Sequence, residues 1–184
     1  MPRTGLIPTV NIAKAVGWPA GATPIATAGT RVQAFAADLD HPRWLLVLPN
    51  GDVLVAETNA PAKPDDATGI RGWIMGLVMK RAGAVTPSAN RITLLRDHNG
   101  GVADQRVVLL EGAKDGINSP FGMAWVDGAL YVANTDSVLR FTYALGDMRI
   151  RTLGVKIADL PAGRINHHWT KNLIASPDGS RLTC

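Results

Sequence analysis

The stretch Asn166-His167-His168-Trp169-Thr170-Lys171 gathers two imidazoles, an indole and an ammonium within six residues. A neutral imidazole has a pKa of about 6.5, so it can accept a proton near neutral pH and serve as a general base. Neighbouring side chains on extended backbone point to opposite faces, so His167 and His168 cannot readily share one ion. That argues for one inward histidine and one structural neighbour, and against a two-histidine metal centre. The other histidines, His41 before Pro42 and His98 in Asp97-His98-Asn99-Gly100-Gly101, read as loop residues. Asp65-Asp66 and Asp104 are too scattered for a calcium loop, and no EF-hand spacing is present. The single cysteine, Cys184, permits no internal disulfide and no thiolate metal site.

Four further residues bear on chemistry. Lys171 could hold a positive charge near an anionic ligand, although a surface cation is the plainer reading. Trp169 could stack on a flat ligand, or be an aromatic of the core or rim. Asn118 precedes Ser119-Pro120; it could reach a binding site, or form an Asx turn before the proline. Arg43 reads as covering a sheet edge in preference to lining a channel.

These residues need a frame, and a weak internal repeat supplies one. Arg43–Thr58, Phe121–Thr135 and Leu173–Leu182 each run apolar strand, Asn-Gly or Asp-Gly turn, apolar strand. Asn-Gly and Asp-Gly tolerate the positive φ that hairpin turns require. The turn glycines Gly51, Gly128 and Gly179 lie 77 and then 51 residues apart. Propeller blades repeat every 40–50 residues or so. The second spacing nearly fits, and the first implies an insertion. Further strands are expected at 91–96, 105–110 and 138–143.

The insertion has helical character over about residues 66–83. Ile70, Trp73, Ile74, Leu77, Val78 and Arg81 follow the spacing of one helix face. Asp66 or Thr68 suits its N-cap, Lys80 and Arg81 suit its C-terminal dipole, and Gly83 suits its C-cap. Packing of the apolar face on the sheets is the expected arrangement; a docking or membrane-surface helix is the other. Residues 1–30, broken by Pro2, Pro8, Pro19 and Pro24, read as an extended lead-in, with a β domain over 31–184.

Composition excludes several classes. The chain is 46% hydrophobic and 18% charged, which is globular and not disordered. Its net charge of +4 is scattered, with no basic stripe interleaved with aromatics, so nucleic acid is not an expected partner. No apolar run is long enough for a transmembrane segment, and no secretory h-region follows Met1.

Several stretches resemble the PQQ-dependent glucose/sorbosone dehydrogenase family, in its sorbosone dehydrogenase branch. They are His41–Leu45 with Pro49–Glu57, Asn118–Ala124, Tyr131–Thr135, and Asn166–Gly179. The last is the most specific. The resemblance implies an all-β, six-bladed β-propeller with pyrroloquinoline quinone (PQQ) over its central channel, a calcium ion polarising the quinone, and a histidine as general base. In the glucose branch that histidine precedes the Pro-Asp of the next hairpin by nine residues; here that position is His168, nine before Pro177. Two positions depart from the glucose branch. His167 stands where that branch has an acidic residue, and Ile117 where it has a glutamine lining the pocket. Substrate contacts and base tuning therefore do not carry over.

The expectation is thus a partial propeller of about three blades with one short inserted helix, from an enzyme that oxidises a sugar or sugar aldehyde such as L-sorbosone. His168 would be the catalytic base. Asn118, Trp169 and Lys171 would be cofactor-binding, and the calcium ligands would lie beyond residue 184, with no metal ligand within it. A cytochrome or quinone would be the electron acceptor, and the intact protein would be periplasmic or secreted. The chain is expected to be truncated inside a strand at Leu182-Thr183-Cys184, inactive alone, and prone to associate through open strand edges. The alternatives are a non-catalytic propeller that binds a ligand on its top face, and a calcium-dependent propeller lactonase.

Overall fold

The computed structural model describes residues 13–14, 16–61, 69–82, 86–163, 166 and 168–184. Among the described residues, alternating and continuous apolar runs separated by Gly- and Asp-containing turns form ten strands. They are β1 (Pro42–Val47), β2 (Val53–Glu57), β3 (Arg91–Arg96), β4 (Gln105–Glu111), β5 (Met123–Val126), β6 (Ala129–Ala133), β7 (Ser137–Thr142), β8 (Val155–Asp159), β9 (Ile174–Ala175) and β10 (Leu182–Thr183). The strands pair in chain order as antiparallel meanders: β1-β2-β3-β4, then β5-β6-β7-β8, then the hairpin β9-β10. The architecture of the described residues is therefore all-β, with one α-helix, α1 (Gly69–Arg81), between β2 and β3.

The three repeated hairpins share turn chemistry but not turn geometry. Asp127-Gly128 is a two-residue loop with both φ positive, 45° and 77°, which only a residue tolerant of the left-handed region can begin. In the first hairpin only Gly51 is left-handed: its amide donates to the Leu48 carbonyl, and Leu48 N–H donates to Asp52 O at 2.8 Å, closing a wider loop. The third widens again, with the Ser176 amide donating to Arg181 O. β8 was not expected from the sequence. Its Val-Lys-Ile-Ala-Asp alternation is short and the strand lies exposed at a sheet edge.

Register assigns the faces. Trp44, Leu46, Leu54, Ala56, Ile92 and Leu94 share one face of the first sheet and meet Met123, Trp125, Leu130, Val132, Leu139 and Phe141 of the second. Full burial of each large apolar side chain in this layer contributes about 1.5–3 kcal/mol. The opposite face of the second sheet, through Ala124, Ala133 and Val138, packs on Leu173, Ala175 and Leu182 of the β9-β10 unit. The three units thus stack face to face in chain order. Backbone approaches between them run through their first strands, β1 to β5 and β5 to β9.

The other face of the first sheet is crossed by residues 33–41. Phe35 O accepts the Ala103 amide at 2.8 Å, and Arg106 donates to the carbonyls of Ala37 and Asp38. Beneath them Glu57 is fully buried and accepts from Arg91 Nε and Nη2, the Thr93 hydroxyl and the Asp40 amide. Arg91 also pairs with Asp40 at 2.9 Å. Burial by itself would raise the Glu57 carboxyl, but these donors outweigh it and hold it below the ordinary carboxylate range. Leu45 and Val47 of β1, on this same face, remain 60% and 67% exposed.

The helix differs from expectation in its packing. Among the described residues α1 approaches no other element, and Ile70, Trp73, Ile74 and Leu77 are exposed. Lys80 and Arg81 occupy its last turn, as their charge suits. The expected caps Asp66, Thr68 and Gly83 lie outside the described residues. In the lead-in, residues 16–30 form neither helix nor strand and are exposed.

Candidate functional site

In an antiparallel meander, the starts of odd strands and the ends of even strands lie at one end of the sheet. At that end stand Arg43 and Trp44 opening β1, Asn59 after β2, Asn118 to Gly122 before β5, Asn134 to Asp136 after β6, and 166 with 168–173 before β9. The topology therefore gathers Asn118, His168, Trp169 and Lys171 at one end of the stack.

An aromatic row ties the three units together there. The Trp44 and Phe121 rings lie 5.4 Å apart, and Phe121 meets Trp169 edge-on at 6.3 Å. The edge-on geometry of the second pair is favoured by the ring quadrupoles. Arg43 stands over Trp169, its Cζ 5.7 Å from the ring centroid, and donates to Asn59 Oδ1 at 3.4 Å. Arg43 lies on β1, the edge strand of the first sheet, where the sequence places it. Its guanidinium also stands over Trp169 and so joins this cluster. Phe121 was not singled out from the sequence, because its frame reads equally as plain strand.

The 168–173 segment is fixed by its backbone. The Gly122 amide donates to Lys171 O at 2.9 Å. A Cβ built on Gly122 would sit 2.3 Å from the Leu173 nitrogen and 2.6 Å from the Asn172 carbonyl carbon, so only glycine allows the approach. The Leu173 side chain is buried in the second core, and its amide is capped by Asn172 Oδ1 at 2.8 Å. Asn166 reaches Thr135 Oγ1 with its amide nitrogen at 2.9 Å. Further along, Asp178 accepts from the hydroxyls of Ser176 and Ser180 and from the Ser180 amide, which bring its carboxyl down to about 2. That ties the β9-β10 turn.

His168 is exposed, and its imidazole makes no hydrogen bond or ion pair among the described residues. Its carbonyl accepts Lys171 Nζ at 3.1 Å. An ammonium has three protons to donate, so Lys171 holds the backbone at His168 and keeps donors for another acceptor. Trp169 and Lys171 are half-buried. Asn118 is exposed; its amide nitrogen donates to Asp136 Oδ2 at 3.1 Å and its backbone N–H to Asn134 Oδ1. No Asx turn forms at Asn118, and the left-handed residue is Ser119, φ 48°. His167 lies outside the described residues.

The arrangement presents an open imidazole, an indole and two cations, Arg43 and Lys171, neither of which pairs with a carboxylate among the described residues. It suits a flat, anionic ligand and a proton transfer at its edge. Among the described residues no three His, Cys, Asp or Glu side chains are grouped to hold a metal ion. No helix there is long and apolar enough to cross a membrane. No family model, curated protein or solved structure matches the chain.

Proposed function

We propose that the stacked units are consecutive blades of a six-bladed propeller, and that the chain belongs to a PQQ-dependent oxidoreductase acting on a sugar or sugar aldehyde such as L-sorbosone. Face-to-face stacking in chain order, with neighbouring units approaching through their first strands, supports the propeller reading. The observation that carries the function is the open His168 imidazole, mounted on a segment pinned to the second sheet and flanked by Trp169, Lys171 and Arg43.

In this reading His168 takes the hydroxyl proton of the substrate alcohol or hydrated aldehyde. Bound PQQ supplies the acceptor for the hydride that leaves the same carbon. Trp169 offers a ring for the quinone to stack on, while Arg43 and Lys171 match its carboxylates in charge. Lys171 also holds the His168 backbone, which keeps the base where the substrate carbon must lie. The residues present therefore fit PQQ. They do not fit a calcium ion, for which the described residues offer no ligand set, and no step is assigned to calcium. The electron acceptor beyond PQQ would be a cytochrome or quinone, in a periplasmic or secreted setting.

The test is reconstitution with PQQ, with and without calcium, followed by dye reduction on sugars and sugar aldehydes in a closed, complete propeller. Substrate-dependent dye reduction that needs added PQQ supports the reading; tight binding of a sugar without any PQQ-dependent turnover would leave a binding module in its place.

A further inference from the structure

The helix α1 presents a feature that the site does not use. Four large apolar residues, Ile70 (80% exposed), Trp73 (67%), Ile74 (51%) and Leu77 (51%), form its stripe. A stripe at this spacing ordinarily faces a core, yet α1 approaches no other element among the described residues. Between Gly69 and Arg81 the sequence has three cations, Arg71, Lys80 and Arg81, and no acid; Asp65 and Asp66 precede it. Lys80 and Arg81 are both exposed at its C-terminal end.

We propose that α1 is an interfacial anchor that lays this protein on an anionic lipid surface. Thirteen residues make a helix about 20 Å long, short of the roughly 30 Å hydrocarbon core, so α1 can lie in the interface but not cross it. An apolar stripe bearing a tryptophan sinks into the boundary between headgroups and acyl chains, and the cations meet anionic headgroups. Charge complementarity points to an anionic lipid surface, because every ionisable side chain between Gly69 and Arg81 is a cation. The helix leaves the first sheet between the end of β2 and the start of β3, the end that also carries His168. Seating it in lipid therefore keeps that end of the sheets near the bilayer.

The test is flotation of the protein with vesicles of phosphatidylcholine alone and of an equal mixture with phosphatidylglycerol. The protein is expected to float with the mixed vesicles, more weakly with the neutral ones, and less as salt is raised. Trp73→Ser with Leu77→Ser, and separately Lys80→Glu with Arg81→Glu, should each weaken flotation about tenfold or more. Both pairs are exposed, so unfolding temperatures should match the wild type. Failure to float with mixed vesicles, or flotation unchanged in the serine variant, overturns the proposal. So does a dimer that the serine variant dissolves while vesicle binding persists, which would assign the stripe to a second copy.

Discussion

The Gly122 amide donates to the Lys171 carbonyl at 2.9 Å, and nothing larger than hydrogen fits on the Gly122 α-carbon beneath that segment. The backbone that carries His168, Trp169 and Lys171 is thus seated on the start of β5 by one residue. Gly122→Ala is expected to push the 171–173 backbone off the second sheet. Overpacking of this kind costs about 1–3 kcal/mol, readable by denaturant unfolding. In the complete propeller, loss of PQQ-dependent turnover should accompany it; an alanine variant with unchanged stability would show that the segment is not held there.

Arg91 is the main partner of a carboxylate with no exposure. Arg91→Ala leaves Glu57 buried with the Thr93 hydroxyl, the Asp40 amide and a distant Arg106 guanidinium at 3.7 Å. Removing one partner of a buried ion pair costs about 3–5 kcal/mol, and urea unfolding should show a loss of that size. Release of residues 33–41 should follow, seen as faster proteolysis there.

The same carboxylate sets an acid limit. Glu57 sits below its ordinary value of 4.5, so the unfolded chain binds its proton more readily than the folded one. The stability it contributes is complete above about pH 4.5 and is lost as pH falls through the folded value. Asp52 acts with the same sign below its ordinary 3.8. Hydrogen bonds from Arg96 lower it first, and burial opposes them. Unfolding free energy measured from pH 7 to pH 3 should decline below about 4.5, and Glu57→Gln should flatten the upper part of that decline.

Arg43 offers a way to separate fold from ligand. An exposed cation over an indole stabilises by about 0.5–1 kcal/mol, so Arg43→Ala should change stability by no more than that. If the guanidinium meets a carboxylate of PQQ, the same variant should weaken PQQ binding about tenfold or more, followed by titration of the apo protein. Unchanged PQQ affinity would return Arg43 to a purely structural place over Trp169.

Much of the frame was legible in the sequence. The strand at Arg91–Arg96 is continuous and flanked by turn residues, and it forms at those bounds. The repeated Gly turns located all three hairpins, because a left-handed position is a local demand that a glycine announces. β8 was missed because it buries neither face, so no strong pattern marks it. The helix was legible as a helix, but its packing was not: periodicity reports that a stripe exists and says nothing of what lies opposite. Gathering Asn118 with residues 168–171 needed the topology of the meanders. Phe121 and Gly122 were invisible as site-shaping residues, because each acts through a contact about fifty residues away in the chain.

The most direct measurement is turnover of His168→Gln in the PQQ-loaded, complete propeller. Glutamine cannot accept the hydroxyl proton, and a positioned general base contributes about 10²–10⁴-fold. The account predicts a kcat lowered by that order with PQQ affinity and unfolding temperature close to wild type. Wild-type kcat in the variant, at any pH between 5 and 9 or so, would contradict it.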